Sequence, residues 1–324
     1  MKIGVPRGLG IYEYPILFTK FFEFLGIEVV MSDKTNKKIL KDGISNSLTE
    51  SCLASKIFMG HVANLVERSK EEKIDYIFVP RLCTFENNQT ICVKFFAVYD
   101  ICKNIFDAKF ITLNIDYGKN KTELSSFLKL GAKLGKTKTQ VISAYIKARS
   151  MQKEYDEKKY LKQINSIKIK SNKLKVLIVA HPYVAYDEIL GKKIINNLKK
   201  EKVNIYFANI NSLTMENPKV FRWIRNKDSK YLNISNTIYW KSSKNILNGL
   251  SSNLNNIDGI IYISVFPCGT DSLVNELAIR KIKDIPSLNL VLDEQDADTG
   301  INTRIESFLD ILNMNKENIE KVSG

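Results

Sequence analysis

The sequence predicts an α/β fold built from two units, each a mostly parallel sheet with helices on both faces, joined by a helical segment. Three observations lead there. Short β-branched runs alternate with stretches of helical period in the first third; the strand signals vanish in the middle; the alternation then restarts. The 324-residue length agrees, since single cores tend to divide beyond roughly 250–300 residues. The expected division is an N-terminal α/β domain over residues 1–120, a helical linker over 121–170 and a C-terminal α/β domain over 171–324.

Taken in order, KIGVP is a strand, PILFTKFFEFLG an amphipathic helix closed by Gly26, IEVVMS a second strand and NKKILKDG a short helix ending at Gly43. A longer helix, ASKIFMGHVANLVERSK, precedes the strand DYIFVP; the helix VKFFAVYDICKNIF and the strand KFITLNI follow. Leu124, Phe127, Leu128, Leu130, Leu134, Val141, Tyr145 and Ala148 predict helical hairpins, and KARSMQKEYDEKKYLKQI is charged enough for a solvated helix. The second half brings the strand KVLIVA, the helix EILGKKIINNLKKEK and the strand NIYFANI. It closes with DGIIYISVF, the helix SLVNELAIRKI, the strand SLNLVL and the helix TRIESFLDILN.

Composition limits the function classes. Hydrophobic residues make up 44% of the chain, enough for folded domains. No apolar run approaches the roughly 18 residues of a membrane span, and MKIGVPRG lacks a signal core, so the expectation is a cytoplasmic protein with no membrane partner. The 49 Lys and Arg against 35 Asp and Glu give a formal charge of +14, which suits a polyanion, an acidic protein or a phosphate-bearing ligand. The lysines are scattered, with no basic arm or finger spacing, so no nucleic acid is expected. Five widely spread cysteines argue against a disulfide framework and for reduced thiols.

In open α/β sheets ligands gather beyond the carboxyl ends of the strands, which selects PRGLGIYEY, TESCLASK, RLCTFENNQTICVKF, HPYVAYDE, PCGTDS and DEQDADTGINTR. Cys52, Cys92 and Cys268 each stand just before a predicted helix, where free N–H groups and the helix dipole favour thiolate, the metal-binding form. Their spacing matches no short zinc or ferredoxin signature, so half-buried thiols packing as small hydrophobes are an open alternative. Cys102 fits that alternative best, on the apolar face of its helix; Cys83 shares a loop with Cys92 and is left undecided.

No phosphate-loop motif is present, yet Arg7 with Gly8 and Gly10 offers a hold on a carboxylate or phosphate, against the alternative of a plain surface charge. His181 opens a loop beside Pro182, Tyr183 and Asp187 and can serve a site or the core, whereas His61 is expected to be buried and hydrogen-bonded. The acidic stretch fails calcium-loop spacing and is expected to cap the last helix, with Thr303 and Glu306 in a capping-box arrangement.

PRGLGIYEYP, ESCLASKIFMGH, VPRLCTFENNQTICVKF, AHPYVAYDEILG, FPCGTDSL and LDEQDADTGINTRIESF, in that order, resemble the acyl-CoA dehydratase activase-related proteins, relatives of 2-hydroxyacyl-CoA dehydratase subunits and double-cubane cluster proteins. The resemblance runs from residue 2 to about 310. It implies two Rossmann-like domains with an iron–sulfur cluster, 4Fe-4S or double-cubane, in the cleft between them. By motif the ligands are Cys52, Cys92 and Cys268, with Cys83 as a candidate fourth. Departures are Ala54 and Val93 where the family shows proline, and Ala180 before His181 where it shows glycine.

The resemblance further implies low-potential electron transfer or reductive chemistry. In the related dehydratases an electron at very low potential yields a substrate ketyl radical that loses hydroxide. The chain lacks the actin-like ATPase module often fused to such domains, so electrons are expected from a separate ATP-dependent activase or another low-potential donor, with a small-molecule or acyl-CoA substrate and a homodimer or heterodimer as the assembly. Arg7, Lys56, Arg81, His181 and Arg304 are the candidates for anion binding or for hydrogen bonds to cluster sulfurs, with His181, Arg7 and Arg304 the catalytic candidates. Two rival readings stand beside this one: a cluster-holding accessory or scaffold without its own substrate, and a cluster-free two-lobed binder of small anions.

Overall fold

The computed structural model describes residues 1–86, 89–119, 121–211, 238–295 and 298–323. Two compact units emerge, Met1–Tyr155 with Tyr239–Lys241, and Asp156–Ile238 with Ser242–Gly324.

The first unit contains β1 (Lys2–Val5), α1 (Gly10–Glu13), α2 (Pro15–Phe24), β2 (Glu28–Met31), α3 (Lys37–Ser45), α4 (Leu53–Glu72) and β3 (Tyr76–Phe78). It continues with β4 (Arg81–Glu86), β5 (Gln89–Thr90), α5 (Val93–Ile105), β6 (Phe110–Ile111), β7 (Asn114–Asp116) and α6 (Glu123–Lys133). The main sheet has the order β2-β1-β3-β6, every pair parallel. Its core is aromatic: Phe78 packs at 5.3 Å from Phe18 and 5.0 Å from Phe22, while Phe21 meets Phe127 of α6 at 4.6 Å. Those phenylalanines recur on one face of α2, as the helical period requires.

Three expectations are corrected here. RLCTFENNQT, expected as a loop, forms β4 and β5, and KFITLNI, expected as one strand, divides into β6 and β7. β4 pairs parallel with β7 and antiparallel with β5, giving a small second sheet of order β5-β4-β7. Asn87 and Asn88 lie outside the described residues. Nor does Gly43 end its helix: α3 runs on to Ser45, and Gly43 is where it presses on α4. A Cβ on Gly43 would fall 2.0 Å from the Lys56 carbonyl, and one on Gly60 would fall 1.9 Å from the Ile39 carbonyl.

Helix α7 (Lys138–Ile167) has 30 residues, its first part in the first unit and its last part in the second. It is less solvated than its charge suggested, because it buries glutamines that bond to backbone. The Gln152 Oε1 accepts the amides of Ile16 (2.9 Å) and Leu17 (3.1 Å) at the start of α2. The Gln163 side chain accepts the amide of Phe207 and donates to the carbonyls of Phe207 and Ile210.

The second unit holds β8 (Lys175–Val179), α8 (Pro182–Ala185), α9 (Gly191–Lys200), β9 (Asn204–Phe207) and α10 (Lys241–Asn253). After them come β10 (Gly259–Val265), α11 (Gly269–Lys281), β11 (Ser287–Leu292) and α12 (Asp298–Ser323). Its all-parallel sheet has the order β9-β8-β10-β11, the same permutation as the first unit's main sheet when only the strands of each sheet are counted in chain order. β10 is buried along its whole length, which explains its near-continuous apolar run, broken by Ser264. Thr303 and Glu306 are interior to α12, which begins at Asp298, so the expected capping box is absent; Asp296 and Ala297 lie outside the described residues. No helix among the described residues is long and apolar enough to cross a membrane.

Candidate functional site

A helix crossing between parallel strands runs back along the sheet, so it starts at the edge where the strands end. Three such helices are α4, α5 and α11, and the N-cap residues of all three are cysteines: Cys52, Cys92 and Cys268. Cysteine is a poor substitute for Ser, Thr, Asp or Asn at this position. None of the three thiols caps its own helix, and each is half-buried and free of disulfide. The backbone carbonyls do the local work instead: Cys52 O accepts from Ser55 and Lys56, Cys92 O from Phe95, and Cys268 O from Ser272. Ala54 and Val93 are the second and first residues of their helices, positions that tolerate proline.

The elements that hold these caps are well anchored. The α4 side chains His61, Asn64 and Arg68 grip the segment leaving β2: Arg68 Nη1 donates to the Met31 carbonyl at 3.0 Å, and Asn64 Nδ2 donates to Asp33 Oδ2 at 2.9 Å. The N-terminal turns of α4, with Cys52 at the cap, thereby extend past the carboxyl edge of the sheet. α5 is pinned to β4 by Arg81, whose guanidinium pairs with Asp100 and lies over Phe96 (5.0 Å) and Tyr99 (5.4 Å). The charge of Arg81 is thus engaged within its own unit.

In the second unit the strand order reverses between β8 and β10, and the loops leaving those strands carry His181 and Cys268. The buried His181 and Asp271, a residue of the first turn of α11, meet at 2.9 Å between Nε2 and Oδ1. Tyr183 stacks on the imidazole with ring centroids 5.0 Å apart and planes 6° apart. With the carboxylate accepting, the ring donates from Nε2. Asp187, the neighbour singled out with His181, accepts from the amides of Ile189 and Leu190 and shapes the turn into α9.

The remaining candidates divide. His61 is fully buried, hydrogen-bonded through Nδ1 to Ser32 Oγ (2.9 Å) and through Nε2 to Thr35 Oγ1 (3.0 Å), as expected of a core histidine. Burial first, then the Arg7 charge, pushes its pKa down to about 3. Cys102 is fully buried, its Sγ 3.6 Å from Met59 Sδ, and burial pushes its thiol up to about 12, which suits the packing role. Cys83 lies on β4, where burial and the Asp116 carboxylate raise its pKa and favour the protonated thiol. Lys56 is buried in the first turns of α4. Arg304 is exposed on α12 and donates to the Asn289 carbonyl of β11 at 2.6 Å. Among the described residues no group of three or more His, Cys, Asp or Glu side chains is assembled to hold a metal ion.

Residues 2–210 match the family described as "CoA enzyme activase uncharacterised domain (DUF2229)", more than half of the 324-residue chain. The chain belongs to this family. As a CoA enzyme activase domain it is acyl-CoA dehydratase activase-related, as its motifs indicated, and its parallel sheets are those of Rossmann-like α/β domains. The match takes in Arg7, Cys52, Cys83, Cys92 and His181 and ends before Cys268 and Arg304. No curated protein matches the sequence.

Asp271, Ser32, Thr35 and Asn64 were missed in sequence. Their partners lie 26 to 90 residues away, so no local pattern marks them. Only the position of Asp271 in FPCGTDSL, three residues after a selected cysteine, was a usable signal.

Proposed function

We propose that this CoA enzyme activase-family chain holds an iron–sulfur cluster through Cys52, Cys92 and Cys268 and works in low-potential electron transfer or reductive chemistry. One observation carries the reading: three cysteines outside any disulfide occupy the N-caps of crossover helices, at the edges where the parallel strands end. The donor set fits the group chemically, because helix N-termini stabilise thiolate and thiolate is the usual iron ligand. When bound, a 4Fe-4S cluster with three cysteine ligands would supply one-electron chemistry at low potential and one iron without a thiolate.

The chain's own residues then have distinct tasks. Burial raises the pKa of the Cys102 thiol, and burial with the Asp116 carboxylate raises that of Cys83, which favours neither over the three cap cysteines and leaves Cys83 as the candidate fourth ligand. His181, its tautomer fixed by Asp271 at 2.9 Å, holds a proton on Nε2 beside the loop that carries Cys268, and so serves as the proton-handling group. Electrons come from a separate ATP-dependent activase, and the substrate is a small molecule or acyl-CoA.

Anaerobically purified protein should contain iron and acid-labile sulfide in equal amounts and bleach on oxidation. A colourless, iron-free preparation that still binds small anions would favour the cluster-free reading instead. Turnover of an oxidised acyl substrate with an added ATP-dependent activase separates a catalytic chain from an accessory one.

A further inference from the structure

The loop leaving β1 has a feature that the cluster reading does not use. Arg7 is anchored at two points to one residue beyond β2: its amide donates to Ser32 Oγ at 2.9 Å and its Nε donates to the Ser32 carbonyl at 2.8 Å. Ser32 Oγ, accepting from Arg7, has its own proton left for His61 Nδ1, and the ring donates from Nε2 to Thr35 Oγ1. A neutral, buried histidine therefore fixes the residue that aims the arginine. Neither Nη atom of Arg7 has a hydrogen-bond or ion-pair partner among the described residues. The nearby carboxylate of Asp33 is already taken by Arg68 at 3.1 Å and by Asn64.

A second observation points the same way. Gly8 and Leu9 are buried, yet their backbone amides find no acceptor among the described residues. Buried amides without an acceptor are rare. The backbone here is held in unusual conformations, φ 143° at Gly8 and φ 43° at Leu9, and a Cβ on Gly8 would press on Phe58 of α4 at 3.0 Å. The loop lies at the point where the strand order reverses between β1 and β3, the place where open α/β sheets bind ligands.

We propose that Arg7, with the amides of Gly8 and Leu9, is a binding site for the oxyanion of a small ligand, a phosphoryl or carboxylate group. The guanidinium offers a two-pronged donor to paired oxygens, and the amides add donors that carry no competing charge. This holds whether or not the cysteines carry a cluster.

The test is calorimetric titration of the full chain at fixed ionic strength with inorganic phosphate and, in parallel, with acetate. Saturable binding of phosphate alone identifies a phosphoryl group and of acetate alone a carboxylate; binding of neither overturns the proposal. Arg7→Gln should weaken binding about tenfold or more, the scale of a lost hydrogen bond to a charged group. Arg280→Gln, on an exposed ion pair with Glu276, should leave it unchanged. Equal losses in both variants would mean that general basicity attracts the anion, and would overturn the assignment. Should Arg7→Gln fail to fold, Arg7→Lys keeps the charge without the fork and should weaken binding severalfold; unchanged affinity there contradicts the role given to the guanidinium.

Discussion

His61 shows how one buried side chain ties stability to pH. Its folded pKa, about 3, lies below the ordinary 6.5 because burial penalises the charged ring and Arg7 adds to the penalty, while Asp33 opposes it. Below pH 6.5 the unfolded chain takes up a proton that the folded one refuses, so the stability present above that pH is lost as pH falls toward 3. The slope attributable to this residue is about 1.4 kcal/mol per pH unit at most. Urea unfolding at pH 7 and pH 5 should show a steeper loss in the wild type than in His61→Gln; parallel losses would deny His61 that role. The His181–Asp271 pair makes a spectroscopic prediction. Imidazole nitrogen shifts at neutral pH should place the His181 proton on Nε2, and Asp271→Asn should disturb that preference; a ring protonated at Nδ1 in the wild type would remove the basis for its proton-handling role. The burial of His61 was legible from its position on an apolar helix. Its partners Ser32 and Thr35 were not, because a hydroxyl gives no periodic signal and the contact is made only when β2 and α4 come together.

Among the elements, the α3–α4 contact is one of the tightest. Backbone meets backbone at Gly43 and Gly60, so any side chain there must force the helices apart. Gly60→Ala should cost about 1–3 kcal/mol by overpacking. Because α4 carries Cys52 at its cap, the same variant should also impair whatever that thiol binds. Denaturation midpoints unchanged from the wild type would contradict the close approach. Gln152 is the second such point. Gln152→Ala strands two amides at the start of α2 and should cost roughly 2 kcal/mol, measured in the same way. The strands and helices of the main sheets were legible because a fully buried parallel strand such as β10 is a near-continuous apolar run. The small sheet was not legible: β4 (RLCTFE) mixes apolar and polar residues without strict alternation, and β5 has only two residues. Gly43 misled for a related reason, since a glycine that ends a helix and one that admits a neighbouring helix are identical in sequence.

For the molecule as a whole, both units repeat one strand permutation, with no sequence repeat to announce it. The loops that matter follow from that permutation. PRGLG leaves the first strand of one unit and AHPY the first strand of the other, and the cysteine caps fall on helices that begin at the same edges. Loops that leave strands or lead into helices mark these segments in the sequence, so the ligand candidates were legible there, whereas hydrogen-bond partners far along the chain leave no local signal. The central claim is that Cys52, Cys92 and Cys268 are thiolate ligands while Cys102 is packing. The direct measurement is low-temperature EPR with iron analysis on dithionite-reduced, anaerobic protein, comparing Cys52→Ser, Cys92→Ser, Cys268→Ser and Cys102→Ser with the wild type. The account predicts that each of the first three loses or alters the cluster signal and most of its iron, while Cys102→Ser keeps both. A wild-type signal and full iron content in Cys92→Ser or Cys268→Ser would contradict it.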